Sequence, residues 1–171
     1  MPTTLPKDQR RDELVCLTDL FAIATGAAGQ TETRDGSDVL GVLIGDVDPR
    51  EHVIGWYGVP GKADFKVMVR HGESKYIYLA NGGREQLFNL VEDPQELRDR
   101  SKTDSDVLES LREIAISQCE RPEAEGALEN GTLKAFPFTP RERNRIYQFD
   151  LSRGVAKFPE RPEDALKSQV V

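Results

Sequence analysis

The chain has 171 residues and a net charge of −7, with 37% hydrophobic and 31% charged residues. These values fit one globular domain or part of a larger one. The acidic balance argues against a duplex-binding module, which needs a basic face, and no apolar run approaches the roughly 18 residues of a membrane span. We therefore expect neither nucleic acid nor a membrane among the partners.

The N-terminus and the two cysteines give little guidance on compartment. The stretch MPTTLPKDQRRDEL has no apolar core behind a basic start, so we expect no signal peptide, and a cytoplasmic or a periplasmic location stays open. Cys16 and Cys119 form neither a metal pattern nor a disulfide framework. Free buried thiols are the favoured interpretation, although a single bridge between them is compatible with the sequence.

The first predicted element is one long helix within RRDELVCLTDLFAIATGAAG. Asp12 and Glu13 are expected in its first turn, and Gly26 and Gly29 at its end. Large apolar side chains recur at helical spacing, so we expect this face to pack against a sheet. The face comprises Leu14, Leu17, Phe21 and Ala24, flanked by Leu20 and Ile23.

A short helical turn and four strands are predicted next. The apolar residues Val39 to Ile44 suggest one or two helical turns closed by Gly45. β-branched and aromatic residues, partly in strict alternation, then predict strands within EHVIGWYGV, FKVMVRH, KYIYLA and EQLFNL. Asn81-Gly82-Gly83 predicts a hairpin, because Asn and Gly tolerate positive φ.

The rest of the chain is predicted to be one helix and an irregular tail. Asp93-Pro94-Gln95-Glu96 has the pattern of a helix start with a capping box. A helix is expected from about residue 103 to residue 118, with Thr103 as its cap. Beyond Arg121 the tail holds half of the ten prolines and is expected to have little regular structure.

Two groups of residues are candidates for a site. Asp46, Asp48 and His52 lie close together in sequence and could bind a metal, although their spacing matches no established loop and favours a surface connection. Arg70 and His71 place a cation and an imidazole at a strand end. They could contact an anion or a substrate, or form a solvated hairpin tip.

Aromatic residues are the other candidates. Trp56 and Tyr57 favour packing on a sheet over ligand binding. A basic run with interleaved aromatics could bind single-stranded nucleic acid, but the acidic charge of the chain favours a tail that docks by aromatic anchors. The run comprises Arg141, Arg143 and Arg145, with Phe136, Phe138, Tyr147 and Phe149 around it.

Several motifs in this order resemble the C-terminal part of the type I sulfatases, in the alkaline-phosphatase-like superfamily. The resemblance covers residues 12–118 and, more weakly, the RIYQFD stretch of the tail. Ala22 and Gly41 stand where that family often has proline, and Asn89 where aspartate is commoner. The matching residues are Asp19-Leu20-Phe21, Ala28-Gly29, Asp35-Gly36, Leu40, Leu43, Gly45, Arg70, Gly72, Lys75-Tyr76, Leu87-Phe88-Asn89-Leu90, Asp93-Pro94 and Glu96.

The resemblance implies an α+β fold in which a small four-stranded antiparallel sheet packs on a C-terminal helix. One long helix precedes this unit and an irregular Pro-rich tail follows it. We expect residues 1–50 to form the junction with a catalytic domain, residues 51–120 a sulfatase-like C-terminal subdomain, and residues 121–171 an extended tail.

Members of that family hydrolyse sulfate esters with a formylglycine made from a C/S-x-P/A-x-R motif, beside a calcium ion. Cys16 is followed by Leu-Thr-Asp and Cys119 by Glu-Arg-Pro, so neither matches the motif. We therefore expect the nucleophile and the metal site in a preceding domain. Met1 would then correspond to a position in the family fold that follows the active-site residues. No catalytic residue, metal ligand or cofactor is predicted in this chain, which alone should be inactive.

Three hypotheses follow. The first is the C-terminal portion of a sulfatase-like hydrolase that supports the missing N-terminal domain and lines the substrate cleft through Arg70 and His71. The second is a stand-alone, non-catalytic interaction protein whose helix at residues 11–28 binds a partner or a second copy of itself. The third is a small enzyme that uses Asp46, Asp48 and His52.

Overall fold

The computed structural model describes residue 8, residues 10–30 and residues 36–140 of the chain. The chain divides after Phe138, and the fold described below lies within the unit Met1–Phe138. Asp35 and the arginine run from residue 141 lie outside the described residues. None of the helices found in these ranges has the length and hydrophobicity needed to cross a lipid bilayer.

The centre of the fold is the predicted four-stranded antiparallel sheet, which is confirmed. Its strands lie side by side in chain order, so each is joined to the next by a short connection. Gly82 and Gly83 take positive φ in the predicted hairpin. The strands are β1 (His52–Tyr57), β2 (Lys66–His71), β3 (Ser74–Leu79) and β4 (Arg84–Asn89).

A helix, α3 (Ser105–Cys119), packs on one face of this sheet, as expected. The alternation along β2 buries Val67 and Val69 under the helix, which contributes Leu111 and Ala115 to the same core. The helix begins two residues later than predicted. The Thr103 hydroxyl donates to the Arg100 carbonyl, and Asp104 takes the N-cap position.

The predicted helix start at Asp93-Pro94-Gln95-Glu96 is wrong, because this stretch is a turn. The Asp93 carboxylate accepts a hydrogen bond from the Arg98 N–H at 2.7 Å, two residues beyond the expected capping position. Glu96 has a φ of 56°, which no α-helix accommodates, and its carboxylate pairs with Lys75 at 2.7 Å. A contact with the sheet thus replaces the local capping box.

The first helix, α1 (Asp19–Ala27), is shorter than the one long helix expected. Asp12 and Glu13 lie before it, in a segment without regular structure, so their predicted place in its first turn is wrong. The second helix, α2 (Val39–Ile44), matches its prediction and ends at Gly45, whose φ is 84°. The main packing partner of α1 is α2 rather than the predicted sheet.

The tail contains more regular structure than predicted in its first part. A 3-10 turn at Pro122–Ala124 is followed by a hairpin of two-residue strands, β5 (Leu128–Glu129) and β6 (Thr132–Leu133). Leu133 is buried in the core, and its carbonyl accepts a hydrogen bond from the Tyr78 hydroxyl at 3.0 Å. These contacts attach the hairpin to the sheet.

Candidate functional site

A cavity of about 470 Å³ lies where four parts of the fold meet: the residues before α1, the loop before α2, the start of β1 and the end of α3. This volume is in the range of small-molecule sites. The lining residues are Cys16, Thr18, Gly36, Ser37, Arg50, His52, Ile54, Trp56, Gln118 and Arg121. We call it the β1 cavity.

One wall of the β1 cavity is built on the carboxylate of Asp19, which is 2% exposed. The Cys16 N–H donates to it at 2.7 Å and the Ser37 N–H at 2.8 Å, and the Arg50 guanidinium completes the set. Desolvation alone would raise the pKa of this carboxyl, but the two N–H groups and the guanidinium hold it below its usual range. Asp19 is therefore ionised and fixes Arg50 in place.

The same contacts explain where α1 begins. The Asp19 carboxylate reaches back three residues to the Cys16 N–H, as the acidic residue of a capping box does. Gly36 allows the next loop to come close, because a Cβ at that position would lie 2.6 Å from the Thr18 carbonyl oxygen. Asp19 thus holds the start of α1, the loop before α2 and the approach to β1 together.

Cys16 is half-buried in this wall, and Cys119 is fully buried in the core. The Cys16 Sγ accepts a hydrogen bond from Arg50 Nη1 at 3.0 Å and lies 2.9 Å from the Thr18 hydroxyl. Cys16 has polar neighbours and precedes α1, so it lies outside the helix that the sequence predicted for this stretch. Burial raises the pKa of the Cys119 thiol to about 11, which makes it unreactive at neutral pH.

The lining of the β1 cavity is rich in cations and hydrogen-bond donors. Arg50 and Arg121 carry positive charge, and His52 adds an imidazole. Among the described residues that line the cavity, none has a carboxylate of its own. Ile54 and Trp56 add an apolar surface that continues into the core. This combination can hold an anion beside an apolar body.

Arg70 and His71 do not line the β1 cavity. Both are exposed at the end of β2. His71 is paired with His52 across the β1–β2 register, so their side chains share one face of the sheet. His71 is therefore a neighbour of a cavity residue, whereas Arg70 lies on the opposite face. The structure does not test the predicted role of Arg70 and His71 at the rim of a substrate cleft.

The other candidate site residues predicted from the sequence do not come together in one site in the structure. Asp46 and Asp48 are exposed in the loop after α2, and only His52 lines the cavity. Within the described ranges, no three His, Cys, Asp or Glu side chains come together as a metal site. Trp56 packs against the core, whereas Tyr57 is 60% exposed, with Lys66 5.1 Å from its ring centre.

Comparison with known proteins identifies a sulfatase-like fold. The chain aligns with a 2-O GAG sulfatase at a TM-score of 0.55 and 20% identity, over 69% of this chain and 27% of that one. The same values apply to a candidate sulfatase from Bacteroides thetaiotaomicron VPI-5482. For Ps i-CgsB the TM-score is 0.55 and the identity 21%, over 72% of this chain and 28% of that one.

The chain therefore spans about a quarter of the length of these solved structures. No model of a protein family matches the sequence, and no curated protein matches it. At this level of identity the likeness shows the fold and leaves activity and substrate to be tested.

The central residues of the β1 cavity were missed by the sequence analysis. Arg50 stands 31 positions from its partner Asp19, and Arg121 lies in a stretch that was interpreted as tail. No local pattern of spacing connects them. The one available sequence signal is Asp19 at the start of α1, which the sequence analysis used only as one of the residues that resemble the type I sulfatases.

Proposed function

We propose that this chain is the C-terminal portion of a sulfatase-like sulfuric ester hydrolase, and that the nucleophile and metal site lie in a preceding catalytic portion. The chain then supports the catalytic portion and lines one rim of the substrate cleft. The observation that carries the proposal is the fold likeness, which extends over 69–72% of this chain but only 27–28% of each compared sulfatase-like structure.

The surface of α1 supports this proposal. Four large apolar side chains in and just before the helix are well exposed: Val15 (60%), Leu17 (85%), Leu20 (62%) and Phe21 (40%). We call them the α1 surface. Large exposed apolar patches often mark interaction sites in folded proteins. Full burial of each side chain would contribute ~1.5–3 kcal/mol, so the catalytic portion would gain a stable contact here.

The proposed rim residues have suitable chemistry. Arg70 offers a guanidinium and His71 an imidazole, and both side chains are exposed. Guanidinium and imidazolium groups donate charge-assisted hydrogen bonds to oxyanions such as a sulfate ester. The two residues lie at the end of β2, next to the turn at Gly72, where a ligand can approach.

The α1 surface is tested by Leu20→Lys in the longer protein that contains this chain. We expect the charged side chain to lower its stability by about 2 kcal/mol and to reduce turnover of 4-methylumbelliferyl sulfate. Val91→Lys is the matched control, because Val91 is 67% exposed in the loop after β4. If Leu20→Lys leaves both properties unchanged while the protein is active, α1 does not contact the catalytic portion.

The rim is tested by Arg70→Gln and His71→Gln in the same protein. Loss of a substrate contact should raise KM for 4-methylumbelliferyl sulfate with little change in kcat. Arg98→Gln is the control, since Arg98 is exposed on the loop before α3. Unchanged KM in both rim variants would remove these residues from the cleft.

The stand-alone interaction protein makes a different prediction for the 171-residue chain. Light scattering would show a stable dimer, and Leu20→Lys would convert it to a monomer. A monomer in both cases contradicts the homodimer, whereas the hydrolase proposal depends on the longer protein.

A further inference from the structure

β1 is an edge strand, because among the described strands it pairs only with β2. The Ala80 N–H donates to the carbonyl of Phe65, one residue before β2, at 3.0 Å, so the backbone groups of Phe65 face β3. The direction alternates along an antiparallel pair, so Lys66 points its N–H and C=O to β1, where it pairs with Tyr57. By the same alternation, the β1 residues whose backbone groups point away from the sheet are His52, Ile54 and Trp56.

The two edges of the sheet differ. At the β4 edge the Leu87 N–H donates to the Asp99 carboxylate at 3.1 Å, and the Leu87 carbonyl accepts from the Arg100 N–H at 2.7 Å. No such bond from a described residue reaches the three outward-facing residues of β1, which also line the β1 cavity. An open edge of β-branched and aromatic residues, without Lys or Pro, is a template for pairing with another strand.

The β1 edge is complementary to a second copy of itself. In an antiparallel pair related by a two-fold axis at Ile54, this residue faces its own copy, and His52 faces Trp56 of the other chain. Every outward N–H and C=O of these three residues is then hydrogen-bonded. The two Ile54 side chains meet on the α3 face of the sheet, where each already packs against its own core.

The same register brings opposite charges together. Glu51 is exposed just before β1, and in this register it lies opposite Tyr57 of the second copy. Lys66 is the β2 neighbour of Tyr57, and its Nζ lies 5.1 Å from the centre of the Tyr57 ring, so it leans toward the open edge. Glu51 of each copy therefore meets Lys66 of the other, on both sides of the two-fold axis.

We propose that the β1 edge binds the β1 edge of a second copy of this chain, which joins the two sheets into one continuous antiparallel sheet. The Glu51–Lys66 pairing favours a second copy over an unrelated strand, because it forms only when both partners carry this sequence. The inference concerns the β1 edge and does not rest on the proposed function, in which the α1 surface contacts the catalytic portion.

Sedimentation equilibrium of the 171-residue chain with Leu20→Lys tests the proposal, because this substitution removes association through the α1 surface. We expect a dimer, and a chain that stays monomeric up to its solubility limit overturns the proposal. Ile54→Pro removes the outward N–H but no hydrogen bond to β2, whereas Ile54→Ala keeps the N–H and serves as the matched control. Ile54→Pro should dimerise about tenfold more weakly than Ile54→Ala, because both hydrogen bonds at the axis are lost. Equal dimerisation of the two variants also overturns the proposal.

Exchange of the two charges tests the register at exposed positions, where the fold is not at risk. Glu51→Lys and Lys66→Glu should each weaken the dimer by about threefold or more, and the combined variant should recover the parent affinity. Glu73→Lys, in the exposed turn after β2, should leave the affinity unchanged. If the combined variant dimerises no better than the single variants, the proposed pairing is wrong. Circular dichroism verifies the fold of each variant.

Discussion

Replacement of Asp19 by asparagine tests the wall of the β1 cavity. Asp19 is 2% exposed, and the side chain of its partner Arg50 is 16% exposed, so water reaches the pair poorly. Asparagine keeps the shape of the side chain but removes the charge. It leaves the guanidinium without its counter-ion and weakens the acceptor of the Cys16 and Ser37 N–H groups. Loss of one partner of a buried pair costs about 3 kcal/mol.

Urea unfolding followed by Trp56 fluorescence measures this cost. We expect Asp19→Asn to lower the free energy of unfolding by about 3 kcal/mol, and Arg50→Met to recover part of it when the two are combined. Asp46→Asn, at an exposed position, should change it by less than about 0.5 kcal/mol. A value for Asp19→Asn as small as this control would refute the structural role of Asp19.

Acid unfolding provides a second test of the stabilising role of Asp19. The pKa of Asp19 is lowered in the folded chain, so its stabilising contribution is complete above the unfolded-state pKa of about 3.9. It is lost as the pH falls through the lower pKa of the folded state. We therefore expect the difference between the parent and Asp19→Asn to shrink below about pH 4. A difference that stays constant into this range contradicts the assigned charge.

Two further predictions concern the core under α3. Leu111 is 1% exposed, so Leu111→Ala should cost about 2–5 kcal/mol in urea unfolding, whereas Val107→Ala, at a position 42% exposed, should cost less than about 1 kcal/mol. Glu85 accepts hydrogen bonds from Arg112 at 2.6 and 2.8 Å. A cycle of Glu85→Gln with Arg112→Met should give a coupling of about 1 kcal/mol, since Arg112 is 37% exposed. Arg112 lowers the pKa of Glu85, so this coupling should vanish at low pH, and a coupling that persists there would contradict it.

The sheet could be predicted because its signals are local. Alternation along β2 and the Asn81-Gly82-Gly83 hairpin depend on neighbouring residues, and both are found in the structure. The short α2 and its end at Gly45 have the same local origin. In each case the spacing of the apolar residues and the conformational freedom of glycine are sufficient to predict the element.

The start of α1 and the turn at Glu96 could not be predicted in this way, because distant contacts decide them. Asp19 meets Arg50 and the Ser37 N–H, and Glu96 meets Lys75 on the sheet. The β1 cavity has the same cause, since its lining comes from four separate parts of the chain. At Asp19 and at Glu96, contacts between residues far apart in the sequence override local propensity.

The reading frame directly upstream of the Met1 codon is the most direct test of the proposed function. If this chain is the C-terminal portion of a sulfatase-like hydrolase, sequencing will show that the frame continues and encodes a C/S-x-P/A-x-R motif. An in-frame stop codon followed by a start signal immediately before Met1 would contradict it, and the question would then be what the chain binds rather than what it hydrolyses.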